Sequence, residues 1–389
     1  MDKFGSLVSD AVMNVIRDEL AANRHLVDSL TSTDRPSFLF GCVPPLDSTL
    51  SDEAMDIASK FSERGRVLAV DGYIVYDVQD ESIRTSDKRP FPYRKLADPL
   101  EFAKFLRETS HKGCVVYKAV TCMESALAFD KWLDECSDKY HHAAINIVGA
   151  PSTNASFNGP STKEASAMAL KRKSIRFGAV CIAERHAVKH NEHLILFRKQ
   201  QWGAKWFITQ GIYDPDPTIQ LINDYGAICK ENGVKPRKII LTFTPCGRKK
   251  TMEFIKWLGM QVPPEAERMM FDEQLDVAEK KRKTPVELSC ILMCENLKLI
   301  LQGTHGVPLG INVESVSGFK NEIDATHDLF RSLQAILLDS MDSPWVIRWS
   351  CVPNSIEKYN SKLVCRSAQV TMLSSFILVG FMILKHTKN

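Results

Sequence analysis

The sequence has no excess of charge of either sign. Its 50 Lys and Arg stand against 47 Asp and Glu over 389 residues, so nothing in the charge calls for a nucleic-acid partner. The short basic clusters Lys171-Arg-Lys173, Arg248-Lys-Lys250 and Lys280-Lys-Arg-Lys283 read as solvated helix ends. Metal-type cysteine spacing is also missing. The 11 cysteines are scattered, and Cys290 and Cys294, four apart, share a helix face without a second pair. That pattern argues for reduced thiols in a cytosolic-type compartment, most of them acting as small buried hydrophobes, and no metal site is expected. No apolar stretch forms near the N-terminus, where Asp2, Lys3, Asp10, Arg17, Asp18 and Glu19 interrupt every run, and this excludes a secretory signal. There is no G-x-G-x-x-G, no Walker loop, no H-E-x-x-H and no nucleophile elbow, which leaves dinucleotide-binding open sheets, P-loop NTPases, metalloproteases and α/β-hydrolases without a motif.

Long hydrophobic runs are absent with one exception. Val370 to Leu384 is uncharged and is followed by Lys385-His-Thr-Lys388. It is shorter than the ~20 residues of a comfortable membrane span, though counting from Ala368 brings it near the lower limit. Residues 368–386 are read either as a membrane-anchoring tail or as a hydrophobic extension packed on the domain.

What is present is alternation. Residues 1–36 form an amphipathic helical lead-in that Pro36 closes, with Leu7, Val8, Ala11, Val12, Val15 and Ile16 near a three-to-four spacing. Strand-like stretches follow at 37–45, 74–78, 114–120, 143–148, 177–183, 205–210, 238–244 and 308–312. Between them lie helical stretches at 51–64, 99–110, 123–137, 163–173, 190–202 and 216–231, then 263–279 and 285–303, and 320–340 closes the series. Buried strands without internal alternation imply a parallel sheet, and eight βα units are the count of a single (β/α)8 TIM barrel. The expected organisation is an N-terminal helical extension (1–36), a barrel (37–340), a linker or flap (341–367, with Trp345, Trp349 and Cys351) and the hydrophobic tail. No effector-binding module is expected after the barrel.

In such a barrel the chemistry sits at the C-terminal strand ends. Taken in order these are Gly41 to Pro45; Asp77, Gln79, Asp80 and Glu81; Thr121 and Cys122; and Gly149 to Asn154. Glu184, Arg185 and His186 follow, then Thr209, Gln210 and Tyr213; Pro245, Cys246, Gly247, Asn312 and Glu314 complete the ring. Asp77, Asp80 and Glu81 are suited to holding a cation or to acid–base work, and equally to capping the next helix. The trio 184–186 reads as an internal network or as catalytic. The most distinctive stretch is Gly203-Ala-Lys-Trp-Phe-Ile-Thr-Gln-Gly-Ile-Tyr-Asp214, a short buried strand that ends in polar side chains and opens into a proline loop.

Read together, these stretches resemble the catalytic barrel of the methylenetetrahydrofolate reductases, flavin-dependent (β/α)8 enzymes that pass a hydride from a nicotinamide cofactor through FAD to a folate one-carbon adduct. The likeness spans about residues 37–340. Gly203 to Asp214 is similar to that family's G-A-x-x-x-I-T-Q-x-x-(F/Y)-D segment, Ser37 to Pro45 to its first strand, and Asn146-Ile-Val-Gly149 to its flavin-holding strand and turn. The resemblance implies that Gln210 orients the pterin with Thr209, Tyr213 and Asn312 around it. It implies that Lys199, Glu192, Gly149 and Thr121 meet the cofactor. Gly41 stands where the family carries its catalytic glutamate, so a carboxylate from Asp80, Glu81 or Glu184 is expected in the acid's role. The chain also has Val148 and Ala150 where the family has an arginine and an aspartate, no histidine in 118–122, and Val313 where an arginine follows the asparagine.

The expected function is reduction of methylenetetrahydrofolate to methyltetrahydrofolate with NADH or NADPH, through FAD, in one-carbon metabolism. The alternatives are a folate- or nucleotide-binding barrel that has lost the redox chemistry and a flavin-free NAD(P)H-dependent reductase. Expected partners are a folate substrate, a membrane surface met through the tail and a second copy of the chain, with the barrel facing the cytosol.

Overall fold

The computed structural model describes residues 2–82, 85–150, 156–271 and 283–342, with side chains from residue 17 onward. Eight parallel strands close on themselves in sequence order. They are β1 (Phe38–Cys42), β2 (Gly72–Val75), β3 (Gly113–Ala119), β4 (Ala144–Val148), β5 (Arg176–Cys181), β6 (Trp206–Gly211), β7 (Lys238–Phe243) and β8 (Leu309–Val313). The ring is sealed by β1 on β8, with Phe38 opposite Ile311 and Phe40 opposite Val313. The fold is the single (β/α)8 barrel that the alternation implies.

The helices are α1 (Asp2–Thr31), α2 (Ser51–Gly65), α3 (Pro99–Ser110), α4 (Ala126–Asp134), α5 (Thr162–Leu170), α6 (Ala183–Lys189) and α7 (Glu192–Gln201). Then come α8 (Pro215–Glu231), α9 (Lys249–Trp257), α10 (Pro264–Phe271), α11 (Pro285–Gly303) and α12 (Lys320–Asp342). Their starts are written locally. Asp98 and Asp214 accept from Leu100 N at 3.0 Å and Asp216 N at 3.1 Å, each followed by a proline at the first helical position. Ser161 with Glu164, and Thr284 with Glu287, form capping boxes.

Three elements depart from the expectation. β2 occupies Gly72–Val75 rather than 74–78, because its pairing with β1 begins at Leu39 opposite Gly72 and the apolar run simply continues into the loop. α6 starts at Ala183, where a strand was expected to be ending, and α9 fills a stretch read as a loop. The expected segments from residue 343 onward, including the flap residues and the tail, lie outside the described residues, as does 272–282 of the long helical insert. Among the described residues no helix is long and apolar enough to cross a membrane.

α1 closes the bottom of the barrel, the end where the strands begin. Leu26 and Leu30 are fully buried against the interior residues Leu39, Ile74, Val115, Tyr117, Trp206, Ile208 and Ile240, worth about 1.5–3 kcal/mol for each leucine. The close approach requires glycine: a Cβ on Gly72 would lie 2.7 Å from Leu26 Cδ1, and one on Gly113 would lie 2.9 Å from the Ala22 carbonyl. A polar network locks the plug. Asp71 accepts from Ser29 Oγ (2.8 Å), Phe38 N (2.9 Å) and Arg35 Nη1 (3.0 Å), with His25 Nε2 at 3.1 Å. Lys238 Nζ donates to the Arg35 carbonyl at 2.8 Å, the Ser37 hydroxyl at 2.9 Å and the Ser29 carbonyl at 2.5 Å. With the bottom shut, ligand chemistry is left to the opposite mouth.

Candidate functional site

Strand alternation decides which side chains face the barrel axis. Tyr76, Tyr117, Val148 and Val180 pack with the interior cluster, so Asn146, two residues before Val148, faces the same way. At the upper end β8 and its continuation bring Asn312 and Glu314 to the axis. Asn312 Nδ2 donates to Tyr76 Oη at 2.9 Å and lies 3.3 Å from Thr242 Oγ1 and 3.4 Å from Glu314 Oε2. The Tyr76 hydroxyl donates to the Glu314 carboxylate.

Glu314 is the carboxylate that sequence reasoning did not select. Burial raises its pKa above the ordinary value, against the lowering effect of the Tyr76 and Asn312 hydrogen bonds. Its position is set by Gly41 on the neighbouring strand. A Cβ on Gly41 would lie 3.0 Å from Glu314 Cβ, 3.1 Å from Glu314 Oε2 and 2.9 Å from Tyr76 Cε2. The β8 carboxylate therefore occupies the space that a first-strand side chain would need. The signal was in the sequence as a pairing, a glycine on β1 and a glutamate one residue past β8. It becomes readable only once the ring is closed.

Several polar atoms around this end are buried without a hydrogen-bond partner. They include both amide atoms of Asn146, Asn312 Oδ1, Thr121 Oγ1 and Thr244 Oγ1. Groups of this kind take a partner from outside the chain, a water or a ligand.

The residues singled out from the sequence take the following places. Thr209 and Gln210 sit on a bulge in β6, where the register to β7 shifts between Ile208 and Gly211. Thr209 Oγ1 accepts from Thr242 N at 2.8 Å, and Gln210 Nε2 donates to the Leu258 carbonyl at 3.2 Å. Bulges re-aim side chains beside sites, and Gln210 stays partly exposed. Tyr213 is buried, donating to the Thr244 carbonyl at 2.7 Å. Lys199 and Glu192 are brought together electrostatically on the outer side of β5. Lys199 Nζ donates to the Val180 carbonyl at 2.6 Å, and burial lowers its pKa while raising that of Glu192. Gly149 directly follows β4, and the Thr121 carbonyl accepts from Gly159 N at 3.2 Å. Asp80 lies on the exposed loop after β2, where hydrogen bonds from the Ser82 hydroxyl and amide hold its carboxyl below the usual range. Glu81 follows it, half-buried. Glu184, in the first turn of α6, is pushed up to about 7 by burial.

No family model and no curated protein sequence matches the chain. Among solved structures the chain is similar to an uncharacterized protein from Clostridium thermocellum that binds two copies of 5-methyl-5,6,7,8-tetrahydrofolic acid. The match is 28% identical, covers 80% of this chain and 99% of that one, and has a TM-score of 0.64. The OMP decarboxylase of Leishmania donovani (10% identity, covering 80% of this chain and 99% of its own, TM-score 0.41) is a remote match that carries no argument about function. The same holds for a putative lyase/mutase from Burkholderia cenocepacia (13%, 67% and 89%, TM-score 0.35). Fold and site together define a (β/α)8 barrel with a plugged bottom and a polar upper mouth, similar to a folate-binding protein.

Proposed function

We propose that this barrel binds a reduced folate at its upper mouth and acts on it as a methylenetetrahydrofolate reductase-type enzyme, with Glu314 as the acid. The observation that carries the reading is the buried, pKa-raised Glu314 carboxylate lodged beside Gly41 and hydrogen-bonded by Tyr76 and Asn312. The likeness to a protein that binds 5-methyl-tetrahydrofolate supports the ligand class. So do the unpaired amide atoms of Asn146 and Asn312, because a pterin edge offers donors and acceptors together, as an amide does. A one-carbon unit bridging two nitrogens accepts hydride only after one nitrogen has been protonated and has left. A carboxyl group that stays protonated above the usual carboxylate range supplies that proton. Gln210, on the β6 bulge, would orient the ring.

A flavin dinucleotide fits the described residues poorly. Lys118 is held by Asp98 at 2.7 Å, Lys199 is turned onto the Val180 carbonyl, and Val148 and Val180 face the interior. No step is therefore assigned to FAD; NADH or NADPH would supply the hydride if it donates directly, and Glu314 would supply the proton. Three measurements test the reading: calorimetric titration with 5-methyl-tetrahydrofolate, the visible spectrum of the purified chain, and NAD(P)H oxidation with methylenetetrahydrofolate. Saturable binding with a colourless, NAD(P)H-oxidising protein supports it as written. A flavin band that bleaches with NAD(P)H would restore the flavin route. Binding without turnover would leave a folate-binding barrel, and absence of folate binding would sink the proposal.

A further inference from the structure

In the helical layer, α6, α7 and α8 bring two histidines and an aspartate together. His186 is 1% exposed, with its Nε2 2.8 Å from Asp224 Oδ2. The His193 ring lies 5.2 Å from it, centroid to centroid, at 85°. The Nδ1 atoms of both rings are buried without a hydrogen-bond partner. One ring nitrogen of each histidine and a carboxylate oxygen of Asp224 all lie within 4.8 Å of one another. The buried Glu192 carboxylate is close enough to interact electrostatically with His186. The Asp224 side chain is 53% exposed, so the cluster opens to solvent on one side.

We propose that His186, His193 and Asp224 bind one divalent transition-metal ion, zinc by the character of the donors, which fastens α6, α7 and α8 together. The chief competing account is a plain hydrogen bond from His186 to Asp224. It uses one ring nitrogen of His186 and gives His193 no part, whereas one ion would engage a nitrogen of each ring and the carboxylate together. Two imidazoles and a carboxylate select zinc and its neighbours over magnesium or calcium, which take oxygen ligands. Zinc–ligand bonds of about 2.1 Å in tetrahedral geometry put the ligand atoms about 3.4 Å apart. The three candidate ligand atoms lie within 4.8 Å of one another, so side-chain shifts of at most about 1.4 Å bring the wider separations to that spacing. Water would complete the coordination. The exposed His190 ring, 6.0 Å from His186, lies outside the set. The site belongs to the outer helical layer and does not depend on the folate reading.

The test uses the full chain, freed of metal by a chelator and titrated with Co²⁺ and then Zn²⁺. Expected are the visible bands of tetrahedral cobalt without the thiolate-to-metal band that ligation by any of the 11 cysteines would add. Zinc should displace the cobalt and raise the melting temperature. His193→Ala and Asp224→Ala should each weaken binding by at least about tenfold, and the double variant should abolish it. His190→Ala should leave affinity within about twofold. No cobalt spectrum, a thiolate-type spectrum, or unchanged affinity in a folded double variant would each overturn the proposal.

Discussion

The two ends of the barrel differ in how their central polar groups are paired, although Asn23 Oδ1 on α1 and Trp206 Nε1 also lack a partner at the bottom. At the bottom, both oxygens of Asp71 are taken up by donors from α1, from β1 and from the segment joining them, and Lys238 makes three hydrogen bonds. At the top, Asn146, Asn312, Thr121 and Thr244 keep atoms without partners, and Glu314 holds its proton above the usual range. A satisfied network makes a rigid base, whereas an unsatisfied one keeps binding capacity that something outside the chain must complete. The Asp71 and Lys238 bonds hold the barrel shut, and the mouth is where the chain leaves most capacity for an outside partner.

The comparison breaks hardest at the bottom. Asp71→Ala should destabilise the fold by about 3–5 kcal/mol in denaturant titration, because it leaves Arg35, Ser29 and the Phe38 amide facing a void. Burial pushes the Asp71 carboxyl up, but the hydrogen bonds from Phe38, Ser29 and Arg35 outweigh it and leave the pKa below the ordinary 3.8. Its contribution is therefore present at neutral pH and is lost as pH falls through the lowered value, so Asp71→Asn should flatten the acid limb of the stability curve.

At the top, Glu314→Gln should cut turnover by about 10²–10⁴ while folate binding stays within a few-fold. The sign at this end is reversed. A raised pKa means that the protonated form, and the activity needing it, is present below that value and fades as pH rises through it. If activity instead fell with a midpoint near 7 in a Glu314→Gln background, Glu184, whose carboxyl is pushed up to about 7, would replace Glu314 as the acid.

Gly41→Ala sharpens the contrast at lower cost. Its Cβ would press on Tyr76 and Glu314, for an expected loss of about 1–3 kcal/mol in stability together with a weaker folate signal in calorimetry. Gln210→Ala should have the smallest effect, about tenfold or less in folate affinity, since it removes one orienting hydrogen bond of about 1 kcal/mol. Unchanged affinity would remove Gln210 from the site.

Much of the fold was legible because a parallel barrel writes each strand as an apolar run between breakers, and helices such as Pro99–Ser110 and Pro285–Gly303 carry caps at their starts. The basic opening of α9, Lys249-Lys250, and the Ala-Glu-Arg-His start of α6 hid two short helices among what read as loop and strand end. The site was harder to read. Glu314 stood among the strand-end residues, yet nothing local favoured it over Asp80, Glu81 or Glu184. Its distinction is a neighbour 273 positions earlier, Gly41, and only closure of β8 on β1 makes them neighbours. The bulge at Thr209 and Gln210 was equally invisible, because it is a property of the pairing with β7.

The plug at the bottom also sets an order of assembly. α1 precedes the barrel strands in the sequence, yet one of its anchors, Lys238, reaches Ser29 from 209 residues further along the chain. Leu26 and Leu30 find Leu39, Ile74 and Val115 early in the chain, but their apolar stripe is fully covered only once Trp206, Ile208 and Ile240 of β6 and β7 have been made. Such distant pairing slows folding and lengthens the exposure of sticky surface. The plug is therefore finished late, and the barrel gains its full stability only when α1 meets strands from the second half of the ring.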